Sequence, residues 1–120
     1  MSSKLIALFL FADIFGTWTG TSLCTNVRPA CHDEKALYHV ARSSKKDTVV
    51  MTMSKVVDGK EVVMGTNDYQ RKGDTLSSEY AVPDGTRVVW TFVVNGDRMT
   101  GTLKQLPGGE VVRNIAVRKK

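Results

Sequence analysis

Cys24 and Cys31 stand seven positions apart, and the second is followed at once by His32, Asp33 and Glu34. Residues of these types could close a disulfide around the short segment TNVRPA, or gather around a metal ion. Adjacent residues on a chain rarely converge on one ion, and structural zinc sites space their cysteines about two to four apart. The sequence therefore predicts a Cys24–Cys31 disulfide and no metal. The chain-entropy gain for so short a loop is about 2–2.5 kcal/mol, and a bridge of this kind persists where the surroundings are oxidising.

Acid–base chemistry would rest on His39, the best single base in the chain. Catalysis needs a nucleophile or an acid and base held together in a protected site. There is no strand–turn–helix nucleophile elbow, no phosphate loop and no His-rich metal helix here. Asp68 and Glu79 would meet only by accident of strand register. The plainer reading of His39 is a strand histidine hydrogen-bonded at the surface or at a rim, so no enzyme and no cofactor are expected. Binding is better served: Tyr38, Tyr80, Trp90 and Phe92 offer large faces with occasional polar handles, and Met51, Met53, Met64 and Met99 offer adaptable, polarizable ones, Met51 and Met53 being expected to line the pocket. Arg113 is available for an anionic group on a small apolar or aromatic ligand. The alternative is that these side chains fill a core outright, leaving a structural or protein-interaction module, monomeric or homodimeric.

The elements that must hold these residues are short strands. RSSKKD, DGK, RKGD, PDG, NGD and PGG punctuate a series of alternating runs, the sequence form of an antiparallel meander. Strands are predicted over 16–23, 36–41, 48–56, 61–69, 75–82, 86–94, 98–106 and 110–118, with one helical turn allowed over 32–38. Asn95–Gly96 is expected to supply the positive φ angles of a tight primed turn. Val88, Trp90, Phe92 and Val94 share one face, as do Val49, Met51 and Met53, with polar residues on the other. A flat sheet so patterned would leave its apolar side wet. With little helix to cover it, an eight-stranded barrel or a strongly curled sheet is the solution.

Gly16-Thr17-Trp18 at the start of such a meander resembles the Gly-x-Trp signature of the calycin superfamily of lipocalin-like barrels. That resemblance implies a small ligand-binding up-and-down barrel in which Trp18 closes one end beneath an arginine of the last strand, Arg113 or Arg118. The chain departs from the lipocalins in ending without a C-terminal helix, from the avidins in having only Trp18 and Trp90, and from haem-binding relatives in having no histidine late in the chain.

With 120 residues, the chain makes one domain with one modest core. Its formal charge of +5 is dispersed, with Arg118, Lys119 and Lys120 the only local concentration, and no basic helix or aromatic–basic interleaving marks a nucleic-acid surface. Residues 1–12 carry Lys4, the apolar run LIALFLF and the small Ala12, and read as a short signal peptide ahead of a 13–120 barrel. The competing reading makes this run an N-terminal helix or buried strand. It is shorter than the roughly 20 residues that span a bilayer, and Cys24 lacks the small residues that precede a lipid-modified cysteine. A secreted or periplasmic protein with no membrane anchor is the expectation.

Overall fold

Alternation along the sequence becomes eight strands in the computed structural model, which describes residues 13–120. They are β1 Gly16–Cys24, β2 Glu34–Arg42, β3 Thr48–Val57, β4 Lys60–Lys72, β5 Thr75–Ala81, β6 Arg87–Asn95, β7 Arg98–Leu106 and β8 Glu110–Lys119. Each pairs antiparallel with the next, and β1 pairs with β8, so the meander closes into a barrel. The expected signal segment lies outside the described residues.

Two local expectations are corrected. No helical turn forms over 32–38: from Glu34 the chain is already strand, because β1 and β3 offer ladders on both sides that outweigh a short local propensity. At the β6–β7 hairpin, Asn95 still pairs with Arg98, and only Gly96 takes a positive φ, of 64°. Gly96 and Asp97 are thus the central residues, with glycine first, the arrangement of a type II′ turn. The double positive φ of a type I′ turn occurs instead at Asp58 and Gly59, 52° and 76°.

A small barrel leaves an interior just wide enough for side chains to fill, and this one is largely filled. Tyr38, Met51, Tyr69, Leu76, Phe92 and Met99 are all but completely buried. Tyr38 meets Phe92 edge-on with ring centroids 6.1 Å apart, Tyr69 lies tilted at 5.9 Å, and Trp90 stacks on the outer side of Phe92 at 6.1 Å. Two glycines allow close approaches, one of them against this column. A Cβ on Gly101 would overlap the Phe92 ring, and one on Gly20 would overlap the Ala116 carbonyl where β1 crosses closely over β8.

The barrel has two unlike ends. At the base, Trp18 is fully buried and donates from Nε1 to the Ile14 carbonyl at 2.9 Å, with Ile14 buried beside it. The arginine expected over this tryptophan is absent. Register pairs Trp18 with Lys119, whose Nζ stands 5.9 Å from the ring centroid, and pairs Arg113 with Cys24, six residues and about 20 Å further along β1. Arg118 lies opposite Thr19, on the outward-facing register. The other end, the mouth, gathers the Cys24–Cys31 loop, the β3–β4 and β5–β6 turns and the start of β8.

The wall is uneven. β4 and β5 pair only over Gln70–Lys72 and Thr75–Ser77, so toward the mouth they part, and residues 60–69 have no ladder partner on that side among the described residues. Two β-bulges sit at the same end. One makes Met64 an extra residue on β4, and the other makes Val112 an extra residue on β8. Bulges re-aim side chains and concentrate at barrel rims.

Candidate functional site

The aromatic column stops short of the mouth. Between Trp90 and the parted β4 lies a half-open recess of about 240 Å³, lined by Glu34, Met53, Met64, Gly65, Asn67, Tyr80, Trp90 and Arg113. Alternation accounts for Met53, Gly65 and Asn67, inward positions of β3 and β4, and for Tyr80 and Trp90 on β5 and β6. Glu34 is in phase with the inward residues Ala36, Tyr38 and Val40 of β2, while one bulge turns Met64 to the recess and the other lets Val112 face inward beside Arg113.

Polar groups in the recess are arranged with little slack. Trp90 Nε1 donates to the Tyr80 hydroxyl at 3.0 Å, fixing both rings. Arg113 donates through Nη1 to the Ser22 carbonyl and hydroxyl at 3.3 and 3.1 Å, and through Nη2 to the His32 carbonyl at 2.9 Å. The Glu34 carboxylate stands 3.6 Å from Arg113 Nη2, with both side chains about 15% exposed or less. Burial pushes the Tyr38 hydroxyl up to about 12, an effect only partly offset by its hydrogen bond to Ser22. Burial likewise holds Tyr69 far above the ordinary phenol range.

Beyond the pair is an open cleft of about 680 Å³ between residues 30–35 and 55–59, to which Glu34 and Arg113 also belong. The cleft is larger, but the recess has the aromatic wall and so is the better candidate site. The disulfide joins Cys24 to Cys31 and shapes one cleft wall. Its loop is docked independently by Asp33 Oδ1 on the Cys24 amide at 2.8 Å and by the Thr25 amide on the Val112 carbonyl at 3.0 Å.

Of the residues the sequence singled out for a pocket, Met53, Tyr80, Trp90 and Arg113 come together at the recess. Tyr38, Met51 and Phe92 face the same interior but form the filled middle of the barrel, where no cavity is left for a ligand. Glu34, Gly65 and Asn67 were not anticipated. Asn67 and Tyr69 could have been found from the alternation within TNDY, whereas Met64 depends on a bulge that no period-2 pattern shows.

His39 lies on the outer wall, with Nδ1 3.2 Å from the Thr17 hydroxyl and Nε2 2.7 Å from Glu61, which also accepts from the Ser54 hydroxyl at 2.7 Å. The hydrogen bonds from Ser54 and then His39 hold the Glu61 carboxyl below the usual range. Asp68 and Glu79 do not meet: Asp68 pairs with Lys45 at 2.8 Å and Glu79 with Arg87 at 2.6 Å. Among the described residues, no cluster of three or more histidine, cysteine, aspartate or glutamate side chains could hold a metal ion.

The closed eight-stranded up-and-down barrel is consistent with a calycin-like fold. No protein-family model, no curated protein and no solved structure matches the chain.

Proposed function

We propose that this chain is an exported, lipocalin-like binding protein for a small aromatic molecule, taken up in the recess at the barrel mouth. The observation that carries this reading is the interruption of the aromatic column. Trp90, the outermost ring of the Tyr38, Phe92 and Trp90 stack, packs on one side against buried Val88, Leu103 and Val112 and on another borders about 240 Å³ of open space. Ordinary ligand sites take about 300–1,000 Å³, so fatty acids and retinoid-like molecules are too large. An apolar cavity of about 150 Å³ holds one benzene, so one substituted ring suits this recess. The parted β4 and β5 strands, with exposed Met64 between them, give a lateral way in. The disulfide fits an oxidising, extracellular compartment, which is why export belongs to the proposal.

The test is isothermal titration of the folded chain with benzyl alcohol, beside a Gly65→Val variant. A Cβ on Gly65 meets nothing within 4 Å, so a branched side chain there occupies the recess without disturbing the wall. Binding that Gly65→Val abolishes supports the reading. No heat in the wild type, or equal binding by both proteins, overturns it.

A second reading, a protein-interaction module, has its own observation. The unpaired edge of β4 carries Val62, Val63 and Met64, all exposed, with Val57 on the same hairpin. Such an edge is a template for strand addition. Antiparallel pairing with a second copy about Met64 would set Lys60 of each against Asp68 of the other, a favourable cross-strand pair. Sedimentation over a wide concentration range decides: dimerisation abolished by Val63→Lys supports this reading, and a monomer throughout rejects it.

A further inference from the structure

The two charges of the recess are not equally occupied. Arg113 has two of its nitrogens engaged, with Ser22 and with the His32 carbonyl, at 2.9–3.3 Å. Glu34, only 15% exposed, has the guanidinium at 3.6 Å and accepts no hydrogen bond from any described residue. A carboxylate this far withdrawn from water has open lone pairs that a donor from outside could satisfy, and ionised acceptors make the stronger hydrogen bonds. The guanidinium, by contrast, is held back against the wall by Ser22 and the disulfide loop, so the anionic ligand group expected of it from sequence would have to displace existing bonds.

The surrounding surfaces point the same way. Trp90 and Tyr80 line the recess, and aromatic rings attract cations through the negative quadrupole of their faces, while Met53 and Met64 are soft and polarizable. The Tyr80 hydroxyl already accepts from Trp90. A cation meets two aromatic residues and a carboxylate that Arg113 faces at 3.6 Å without a hydrogen bond; an anion meets that carboxylate as repulsion and an Arg113 whose donors are already engaged.

We propose that the ligand of this recess is a small aryl-alkyl amine, its ammonium hydrogen-bonded to Glu34 and its ring lodged between Trp90 and the Met53–Met64 side. This rests on the reading that the recess binds small aromatic molecules, and it specifies the head group. Glu34 is the specificity-determining residue, and Arg113 is a positioning residue that keeps the carboxylate at the mouth.

The experiment compares benzylamine, benzyl alcohol and phenylacetate, matched in ring and differing in head group, by isothermal titration of the intact disulfide-bonded chain at neutral pH. The expected order is benzylamine tightest, by about tenfold over benzyl alcohol, with phenylacetate weakest. Glu34→Gln should erase that tenfold preference, leave benzyl alcohol within about twofold, and let phenylacetate gain from the unpaired Arg113. Wild-type ranking alone decides the point if the variant does not fold. Benzyl alcohol or phenylacetate binding as well as benzylamine overturns the amine assignment while leaving the aromatic site standing. Binding of none of the three overturns the site and the assignment together.

Discussion

Three glycines on inward-facing positions have opposite sensitivities, and the difference follows from what a single added carbon would touch. At Gly20 the neighbours are the backbone of Ala116 and Val117, which cannot turn aside. At Gly101 they are the Phe92 ring, with the Thr91 carbonyl behind it, and a ring can shift a little. Overpacking of a filled interior costs about 1–3 kcal/mol and occasionally more. Gly101→Ala is expected within that range and Gly20→Ala at or above its upper end, both measurable by urea unfolding. Gly65→Ala enters open space and removes freedom from the unfolded chain, so it should leave stability unchanged or raise it by about 0.5 kcal/mol. A ranking with Gly65→Ala worst would mean that the recess is not where the structure puts it.

At the scale of the element, the strands were readable because their side chains alternate with a period of two. Val88–Trp90–Phe92–Val94 and Val49–Met51–Met53 announce both the strand and its buried face, and the eight segments found differ from those expected by three residues at most at either end. The rims were not readable. Met64 reaches the recess through a bulge, which inserts one residue and breaks the alternation, and a second bulge adds inward Val112 beside Arg113, which itself keeps phase with Ile115 and Val117. The Trp18 partner was misassigned because a family pattern names a residue type, whereas register decides which cation arrives, and here it brings Lys119. The disulfide was readable from spacing alone, and its weight can be measured. A Cys24→Ser, Cys31→Ser double variant is expected to lose about 2 kcal/mol, read as a lower denaturant midpoint. Because Asp33, Thr25 and Arg113 hold the same loop by other bonds, the oxidised and variant proteins should keep the same barrel circular-dichroism spectrum. Loss of the spectrum at moderate temperature would show that the loop depends on the bridge.

For the whole molecule, the filled barrel ties stability to alkaline pH through the phenols it buries. In the unfolded chain a tyrosine ionises near pH 10. Folding withdraws Tyr38 from water and raises it to about 12, and moves Tyr69 up further still. Above pH 10 the unfolded state therefore sheds protons that the native state keeps, and the equilibrium shifts toward unfolding as pH rises. The stabilisation is fully present below pH 10 and is lost across the window above it, at about 1.4 kcal/mol per pH unit for each phenol. A domain has about 5–15 kcal/mol in hand, so by about pH 12 two such groups offset the lower end of that range. The chain has three tyrosines, Tyr38, Tyr69 and Tyr80. Spectrophotometric titration at 295 nm should show Tyr38 and Tyr69 ionising together in one cooperative step, coincident with loss of the circular-dichroism signal rather than spread around pH 10. Tyr38→Phe should move that step to higher pH, since it removes a group whose charge the interior refuses while keeping the ring against Phe92. Tyr38 and Tyr69 titrating smoothly near pH 10 in a chain that stays folded would mean that water reaches the middle of the barrel. In that case the ligand cavity would extend well past Trp90, and molecules longer than a single ring would fit.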